Sequence, residues 1–195
     1  MASSSSANTA TKGINDARVN VYSRDEERPL ESTWRLWIGS SAGGLTTAEY
    51  ESRLDTLGSV KSPASFWSLL EVITPPTDMD EANVYHFMKG DAKPMCTDAA
   101  LTDGGTYAFS VRRRDTDDIF KQLLIACIAG NLNSVMNGND EILGVSITVK
   151  RCSGYVSLWN KSSEAANLEE LLKFLKMIMP DLKYSEESYR PNASA

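Results

Sequence analysis

Alternation of hydrophobic and polar residues predicts a β-strand that begins near Trp34. Trp34, Leu36 and Ile38 fall on one face of this segment, and Arg35 and Trp37 fall on the other. The same two-residue period recurs downstream. It predicts further strands over residues 83–89, 106–112, 144–151 and 154–160, with the last two joined by a hairpin.

Three other segments carry apolar residues at helical spacing and are predicted to be α-helices: 65–73, about 117–130 and about 164–179. Prolines mark two of the ends, since Pro75 and Pro76 follow the first helix and Pro180 follows the third. Asp117 or Asp118 is expected to cap the second helix.

Strands paired through hairpins, with long helices between them, predict an α+β fold rather than repeated βαβ units. We expect a single curved antiparallel β-sheet whose convex face is covered by all three helices. This domain is predicted to span residues 28–195. Residues 1–27 have few hydrophobic residues and no periodicity, which predicts a disordered N-terminal arm.

The chain is acidic, with a formal net charge of −6. General affinity for nucleic acid requires many lysines and arginines against phosphates, so any nucleotide contact must lie in a local pocket. Two basic clusters, 112–114 and 150–151, can contribute to such a pocket. We interpret the arginine triplet at 112–114 as a solvated strand end, because runs of charge are usually exposed.

The sequence carries no pattern typical of an enzyme, a metal site or a membrane span. Its cysteines, at positions 96, 127 and 152, lack C-x-x-C spacing, and no Ser/His/Asp arrangement or phosphate loop is present. We therefore predict a protein that is not an enzyme and uses no cofactor. The single histidine, His86, lies within a predicted strand and is expected to pack in the sheet. Without an apolar signal segment or membrane-spanning stretch, a cytoplasmic location is expected.

Tryptophan, proline and glycine motifs occur in a specific order: Trp34-x-x-Trp37, Phe66-Trp67, Pro94-Met95, Gly104-Gly105-Thr106-Tyr107 and Trp159. This order resembles the eukaryotic translation initiation factor 4E family, whose members bind the 7-methylguanosine cap of messenger RNA. The resemblance extends from about Arg28 to Tyr189. Short, divergent paralogues of this family occur in trypanosomatid protozoa, and the chain looks like one of them.

The resemblance implies a cap-binding pocket on the concave face of the sheet. In the family, two tryptophans stack on the methylated guanine, an acidic residue follows the second, a third tryptophan contacts the methyl group, and basic residues hold the triphosphate. Here Tyr50 takes the first stacking position and Trp159 takes the methyl-contacting position. Lys150, with Arg151 beside it, takes the position of the main phosphate ligand.

The sequence departs from the family pattern at the second stacking position. Cys96 stands where the second tryptophan is expected, and Thr97 stands where the acidic residue is expected. Met95 or the backbone around Cys96 is a candidate to cover the second face of the guanine, and Asp98 is a candidate to accept its hydrogen bonds. Two interpretations follow: weakened cap binding, or a scaffold-only homologue that binds partner proteins with weak or no cap binding.

The resemblance also implies a protein-binding surface on the helical side of the sheet. Trp67 takes the position of the tryptophan that family members present to a short tyrosine-and-leucine helix motif of a partner. Because Phe66 takes the inward position, Trp67 is expected to point outward. Besides capped mRNA, the expected partners are a scaffold initiation factor of the 4G type or a 4E-binding repressor protein. The other residues expected on this surface are Pro29, Pro63, Gln122, Leu123 and Ala126.

Overall fold

The computed structural model describes residues 28–138 and 140–192, so the predicted N-terminal arm lies outside the described residues. Within them, strands and helices are joined by loops and short 3-10 turns. Their bounds, in chain order, are β1 (Trp34–Ser40), α1 (Thr47–Glu51), β2 (Asp55–Val60), α2 (Pro63–Val72), β3 (Asn83–Lys89), β4 (Gly105–Arg112), α3 (Thr116–Ile128), β5 (Ile142–Val149), β6 (Ser153–Asn160), α4 (Leu168–Ile178) and β7 (Tyr184–Pro191).

All of these strands belong to one antiparallel sheet, in the order β2-β1-β3-β5-β6-β4-β7. At its centre, the β5–β6 hairpin places Gly144 opposite Trp159 and Ser146 opposite Ser157. β6 pairs with β4 on its other side, and β4 pairs with the edge strand β7. The prediction of an α+β fold built on a single curved antiparallel sheet is confirmed.

The main hydrophobic core lies between one face of the sheet and helices α2, α3 and α4. Trp34 of β1 is buried there and stacks on Phe87 of β3, with 5.1 Å between the ring centroids. Each helix contributes fully buried side chains, among them Phe66, Leu123 and Leu171. The alternation of the strands therefore predicted the core face correctly, and the three predicted helices cover it.

Hydrophobic alternation did not predict α1, β2 or β7. The two strands form the edges of the sheet and leave most of their side chains exposed, so their sequences lack an inward-facing apolar series. α1 is five residues long and has no buried residue. A reciprocal cap between Thr46 and Glu49 stabilises its first turn. These elements matter because α1 and β7 both contribute to the cavity described below.

The expected cap of α3 is wrong. Asp115 occupies the N-cap position, and neither Asp117 nor Asp118 caps the helix. The Asp117 carboxylate accepts hydrogen bonds from the backbone N–H of Thr77 at 2.8 Å and from the Thr77 hydroxyl at 2.6 Å. Asp117 therefore ties α3 to the loop that follows α2.

A second, smaller apolar cluster lies on the opposite, concave face of the sheet. The indole N–H of Trp37, which belongs to this cluster, is the one buried side-chain polar atom without a hydrogen-bond partner among the described residues. Trp159 packs against the cluster from β6. The buried members are Trp37, Met88, Ala92, Leu101 and Leu143. This cluster supports the side of Trp159 that faces away from solvent.

Candidate functional site

A cavity of about 480 Å³ opens on the concave face of the sheet. α1 contributes Tyr50 to its lining, β6 contributes Trp159, and the loop after β3 contributes residues 94–97. Thr106 of β4 pairs with Trp159 on one side and with Arg190 of β7 on the other, so these three side chains share one face. The fold thus gathers residues that are distant in sequence around one space.

The two aromatic residues of this cavity are joined by a chain of hydrogen bonds. The indole Nε1–H of Trp159 donates to Ser146 Oγ at 2.7 Å. Ser146 Oγ lies 2.6 Å from His86 Nδ1, and His86 Nε2 lies 2.8 Å from the Tyr50 hydroxyl.

Burial keeps both titratable members of this chain uncharged. It lowers the pKa of His86 to about 3, because an imidazolium inside the sheet would lose its hydration. It also raises the pKa of Tyr50 to about 12, so the phenol stays protonated. His86 therefore packs in the sheet as expected, but its hydrogen bonds also connect the sheet to the cavity.

The loop after β3 brings Met95, Cys96 and Thr97 into the same cavity lining as Tyr50 and Trp159. Met95 is buried, whereas Cys96 is exposed. The structure therefore brings these sequence-predicted residues together.

Asp98 does not join them. One of its carboxylate oxygens accepts from the Lys93 backbone N–H at 3.2 Å, and the other accepts from the Ala100 backbone N–H at 3.0 Å. Asp98 is absent from the cavity lining. Its carboxylate stabilises the fold of the loop instead of facing the cavity.

The predicted phosphate ligands also lie outside the cavity lining. Lys150 Nζ donates to the backbone carbonyl of Glu81 at 2.7 Å and contacts Ser41 Oγ at 3.2 Å. Arg151 is exposed in the turn between β5 and β6. For Lys150 to reach a ligand in the cavity, it must first release these two partners.

Arg190 is the one charged residue in the described lining of this cavity. Sequence reasoning missed it because the exposed edge strand β7 gave no periodic signal. No ion pair or side-chain hydrogen bond engages its guanidinium within the described part of the chain, and the residue is exposed. Arg190 is therefore free to bind an anionic group of a ligand.

The arginine triplet is only partly a solvated strand end. Arg112 and Arg114 are exposed and form ion pairs with Asp115. Arg113 differs, because its guanidinium donates to the backbone carbonyls of Thr77, Met79 and Lys150. The interpretation of the whole triplet as solvated is wrong for Arg113, which joins the 3-10 turn after α2 to the end of β5.

On the helical side, Trp67 projects outward from α2 as predicted. Its side chain is 46% exposed, whereas Phe66 is 1% exposed. Lys121 of α3 lies across the ring, with Nζ 5.2 Å from the ring centroid. A groove of about 280 Å³ begins at Trp67 and is lined mainly by apolar residues of α2, the following loop and α3, including Leu70, Ile73, Pro75 and Phe120.

The other residues predicted for this surface divide into two groups. Pro63 lies one helical turn before Trp67 on α2 and is exposed. Pro29 is also exposed, and the hydrogen bond from Leu30 N to the Lys61 carbonyl keeps its segment beside the start of α2. These positions are compatible with one surface around Trp67.

The residues predicted from α3 are misplaced. Leu123 and Ala126 are buried in the main core, so the expectation that Leu123 flanks Trp67 on the surface is wrong. Gln122 is exposed but lines a different groove, between α3 and the end of α4. Lys121 lies on the face of α3 that is turned toward Trp67. Successive helix positions differ by about 100° in direction, so Leu123, two positions later, points into the core instead.

Within residues 28–138 and 140–192, no helix has the length and apolar character needed to span a membrane. The same residues contain no group of three or more His, Cys, Asp or Glu side chains arranged to hold a metal ion.

A curved antiparallel sheet, with three helices on one face and a cavity on the other, is the fold of the 4E class of translation initiation factors. The chain belongs to this family, since the family model described as Eukaryotic initiation factor 4E matches residues 29–194. This family consists of translation factors and not of enzymes.

Curated relatives agree with this assignment. Eukaryotic translation initiation factor 4E of Eremothecium gossypii is 28% identical over 179 residues, which cover 89% of this chain and 83% of the relative. The protein of the same name from Saccharomyces cerevisiae is 23% identical over 173 residues, covering 88% of this chain and 79% of the relative.

Solved structures show the same fold. Caenorhabditis elegans eIF4E-3, in complex with the 4E-binding protein Mextli and a cap analog, is 22% identical and superposes with a TM-score of 0.69, covering 85% of this chain and 92% of that one. Ascaris suum eIF4E-3 in complex with an m7G cap gives a TM-score of 0.69 at 22% identity, with 87% and 93% covered.

Proposed function

We propose that this protein binds the 7-methylguanosine cap of messenger RNA in the concave-face cavity and recruits a partner protein through Trp67. The partner is a scaffold initiation factor of the 4G type or a 4E-binding repressor, and the site of action is the cytoplasm. The observation that carries the proposal is the cavity itself, which holds Tyr50, Trp159 and the Met95–Cys96 loop around one space of about 480 Å³. Membership in the family supports the same function.

The chemistry of the methylated base suits this cavity. Methylation at N7 leaves a delocalised positive charge on guanine, so an aromatic ring placed against it gains a cation–π attraction in addition to stacking. Tyr50 is the stacking ring in this proposal, and Trp159 contacts the methyl side. Both phenol and indole are uncharged and held in place by hydrogen bonds, so neither repels the cationic base.

The second face of the base is covered less well. Met95 and Cys96 replace an aromatic ring there, and loss of one base–aromatic stack costs about 1–3 kcal/mol. Thr97 offers a hydroxyl where the family has a carboxylate, and Asp98 is occupied by its own loop. We therefore expect weaker binding than a cavity with two stacking tryptophans provides.

Arg190 is the proposed ligand for the phosphates of the cap, because it is the cation that already lines the cavity. Lys150 and Arg151 can assist where the triphosphate extends toward the β5–β6 turn. Contact with Lys150 requires its ammonium to exchange the Glu81 carbonyl for a phosphate oxygen.

The test compares 7-methyl-GTP with GTP on the wild type, on Tyr50→Ala and on Trp67→Ala. Trp67 is a suitable control because it is an exposed aromatic residue on the helical side and does not line this cavity. Tyr50→Ala is expected to weaken 7-methyl-GTP more than GTP, since the cation–π component exists only for the charged base. Equal weakening of both nucleotides, or a larger effect of Trp67→Ala, contradicts the proposed role of Tyr50.

A scaffold-only function is the second candidate, and the loop after β3 favours it. Cys96 and Thr97 line the cavity without an aromatic ring or a carboxylate, and Asp98 does not compensate. In that case Trp67 remains the functional centre and neither nucleotide binds at micromolar concentration. The wild-type titration decides between the two functions.

Partner binding has its own experiment. A synthetic helical peptide that carries the tyrosine-and-leucine motif is titrated against the wild type, Trp67→Ala and Met177→Ala. Met177 on α4 is a suitable control, because it is another exposed apolar residue and lies outside the Trp67 groove. Trp67→Ala is expected to lose at least tenfold in affinity, as for a central aromatic anchor of an interface, with little change in thermal stability. Retained affinity in Trp67→Ala refutes this surface.

A further inference from the structure

Two buried polar residues lie between the aromatic residues of the cavity and have no role in the chemistry described so far. Ser146 is 5% exposed and His86 is 4% exposed, and each bonds to its neighbours in the chain Trp159–Ser146–His86–Tyr50. They belong to adjacent central strands and are direct cross-strand partners. The chain therefore crosses the middle of the sheet and reaches the cavity at both ends.

The direction of the hydrogen bonds follows from what each group can donate. An indole N–H can only donate, so Ser146 Oγ accepts from Trp159. Ser146 has one hydroxyl hydrogen, and His86 Nδ1 is the acceptor within reach in the described residues. If His86 Nδ1 carried its own hydrogen, the buried Ser146 hydroxyl would be left without an acceptor, which is costly inside a protein.

The ring of His86 is neutral, because burial lowers its pKa to about 3, and so it carries a single N–H. With Nδ1 acting as acceptor, this hydrogen must be on Nε2, where it donates to the Tyr50 oxygen at 2.8 Å. The hydroxyl hydrogen of Tyr50 is then available to water or to a ligand.

We propose that Ser146 and His86 are positioning residues that hold Tyr50 and Trp159 in one directional hydrogen-bonded chain, with His86 in its Nε2–H tautomer. Ser146 holds Trp159 through the indole N–H, and His86 holds Tyr50 through the hydroxyl group. The inference deepens the proposed cap-binding function and rests on it only for the effect on ligand affinity. The chain of hydrogen bonds itself is a property of the free protein.

The first arm of the test needs no ligand. His86 is the only histidine among the 195 residues, so a long-range 1H–15N spectrum of the labelled protein reports on it alone. At pH 7 we expect the neutral Nε2–H tautomer. A charged imidazole or the Nδ1–H tautomer overturns the proposed direction. Ser146→Ala is expected to shift the histidine signals and the indole N–H signal of Trp159, which is assigned by its loss in Trp159→Phe.

Ser157→Ala provides the matched control. Ser157 pairs directly with Ser146 across β5 and β6, so the variant removes the same hydroxyl from the neighbouring position without touching the chain. Ser146→Ala is expected to weaken 7-methyl-GTP about five- to tenfold, which corresponds to one lost hydrogen bond, and Ser157→Ala by less than about twofold. Equal effects of the two variants overturn the positioning role.

A double-mutant cycle tests whether the chain acts as one unit. Tyr50→Phe keeps the stacking ring and removes only the hydroxyl that meets His86. If the chain is continuous, Ser146→Ala combined with Tyr50→Phe weakens binding by about as much as the more damaging single change. If the fold losses of the two single variants multiply in the double variant, the proposal is overturned. If the wild type binds no cap analogue, the proposed function fails, and the tautomer and indole signals still decide whether the chain exists.

Discussion

Acid should destabilise this protein through His86 in a predictable way. The pKa of His86 is lowered from 6.5 to about 3 because the ring is buried in the sheet between two hydroxyl groups, those of Tyr50 and Ser146. In the unfolded chain the histidine returns to its ordinary pKa of about 6.5. Between these two values the unfolded chain binds a proton that the folded protein does not, so the free energy of unfolding falls as the pH falls.

The size of the effect follows from the two pKa values. The contribution of His86 to the free energy of unfolding is fully present above about pH 6.5 and declines until about pH 3. Each unit of difference between the unfolded and folded pKa values corresponds to about 1.36 kcal/mol. At pH 5 the pH lies about 1.5 units below the pKa of the unfolded histidine. The free energy of unfolding is therefore about 2 kcal/mol lower than at pH 8 through this residue. This figure at pH 5 does not depend on the folded pKa as long as that value lies well below 5.

Urea unfolding of the wild type and His86→Gln at pH 8 and pH 5 measures this contribution. Carboxylates also titrate in this range, but they affect both proteins equally and cancel in the difference. The wild type is expected to lose about 2 kcal/mol more than the variant on going from pH 8 to pH 5. The same change in both proteins, or an imidazole NMR signal that titrates near pH 6.5 in the folded wild type, refutes the burial argument.

Three further predictions concern the cavity and the helical face. Cys96→Trp is expected to tighten 7-methyl-GTP binding, by up to about 1–3 kcal/mol in an equilibrium titration, because it restores an aromatic ring at the cavity lining; unchanged affinity places another group on that face. Arg190→Gln is expected to weaken 7-methyl-GTP and GTP alike and to reduce the salt dependence of both, whereas the exposed control Arg114→Gln leaves them unchanged. Leu123→Ala is expected to cost about 2–5 kcal/mol in urea unfolding because the side chain is fully buried, whereas the exposed Gln122→Ala stays within about 0.5 kcal/mol; a small effect of Leu123→Ala contradicts its place in the core.

The fold could be predicted where burial leaves a periodic pattern. The central strands carry an apolar residue at every second position, and β3 begins and ends as predicted, at Asn83 and Lys89. α2 likewise shows its inward Phe66 beside its outward Trp67. The edge strands β2 and β7 and the short helix α1 bury few side chains, so they leave no such pattern.

The cavity could be predicted only in part, because its contacts depend on the pairing of distant strands. Tyr50 and Trp159 are found from their positions in the family order, and the structure places both at the cavity. The bond between His86 and Ser146 joins residues 60 positions apart, and neither residue carries a local signal of its partner. Arg190 was missed together with the whole of β7.

The helical face shows how sensitive such predictions are to register. An error of one or two positions on a helix rotates a side chain by about 100° or more. This rotation separates Leu123, which is in the core, from Lys121, which lies over Trp67. Hydrophobic spacing alone predicted that α3 packs on the sheet but did not fix which residues border the partner groove.

Titration of the wild-type protein with 7-methyl-GTP and GTP, followed by intrinsic tryptophan fluorescence, tests the central claim most directly. Trp159 lines the cavity and serves as the internal probe. We predict saturable quenching by both nucleotides, with tighter binding of the methylated one, because only its base carries the positive charge that favours stacking on Tyr50. Equal affinity for the two nucleotides, or no saturable change with either, contradicts cap recognition by this cavity.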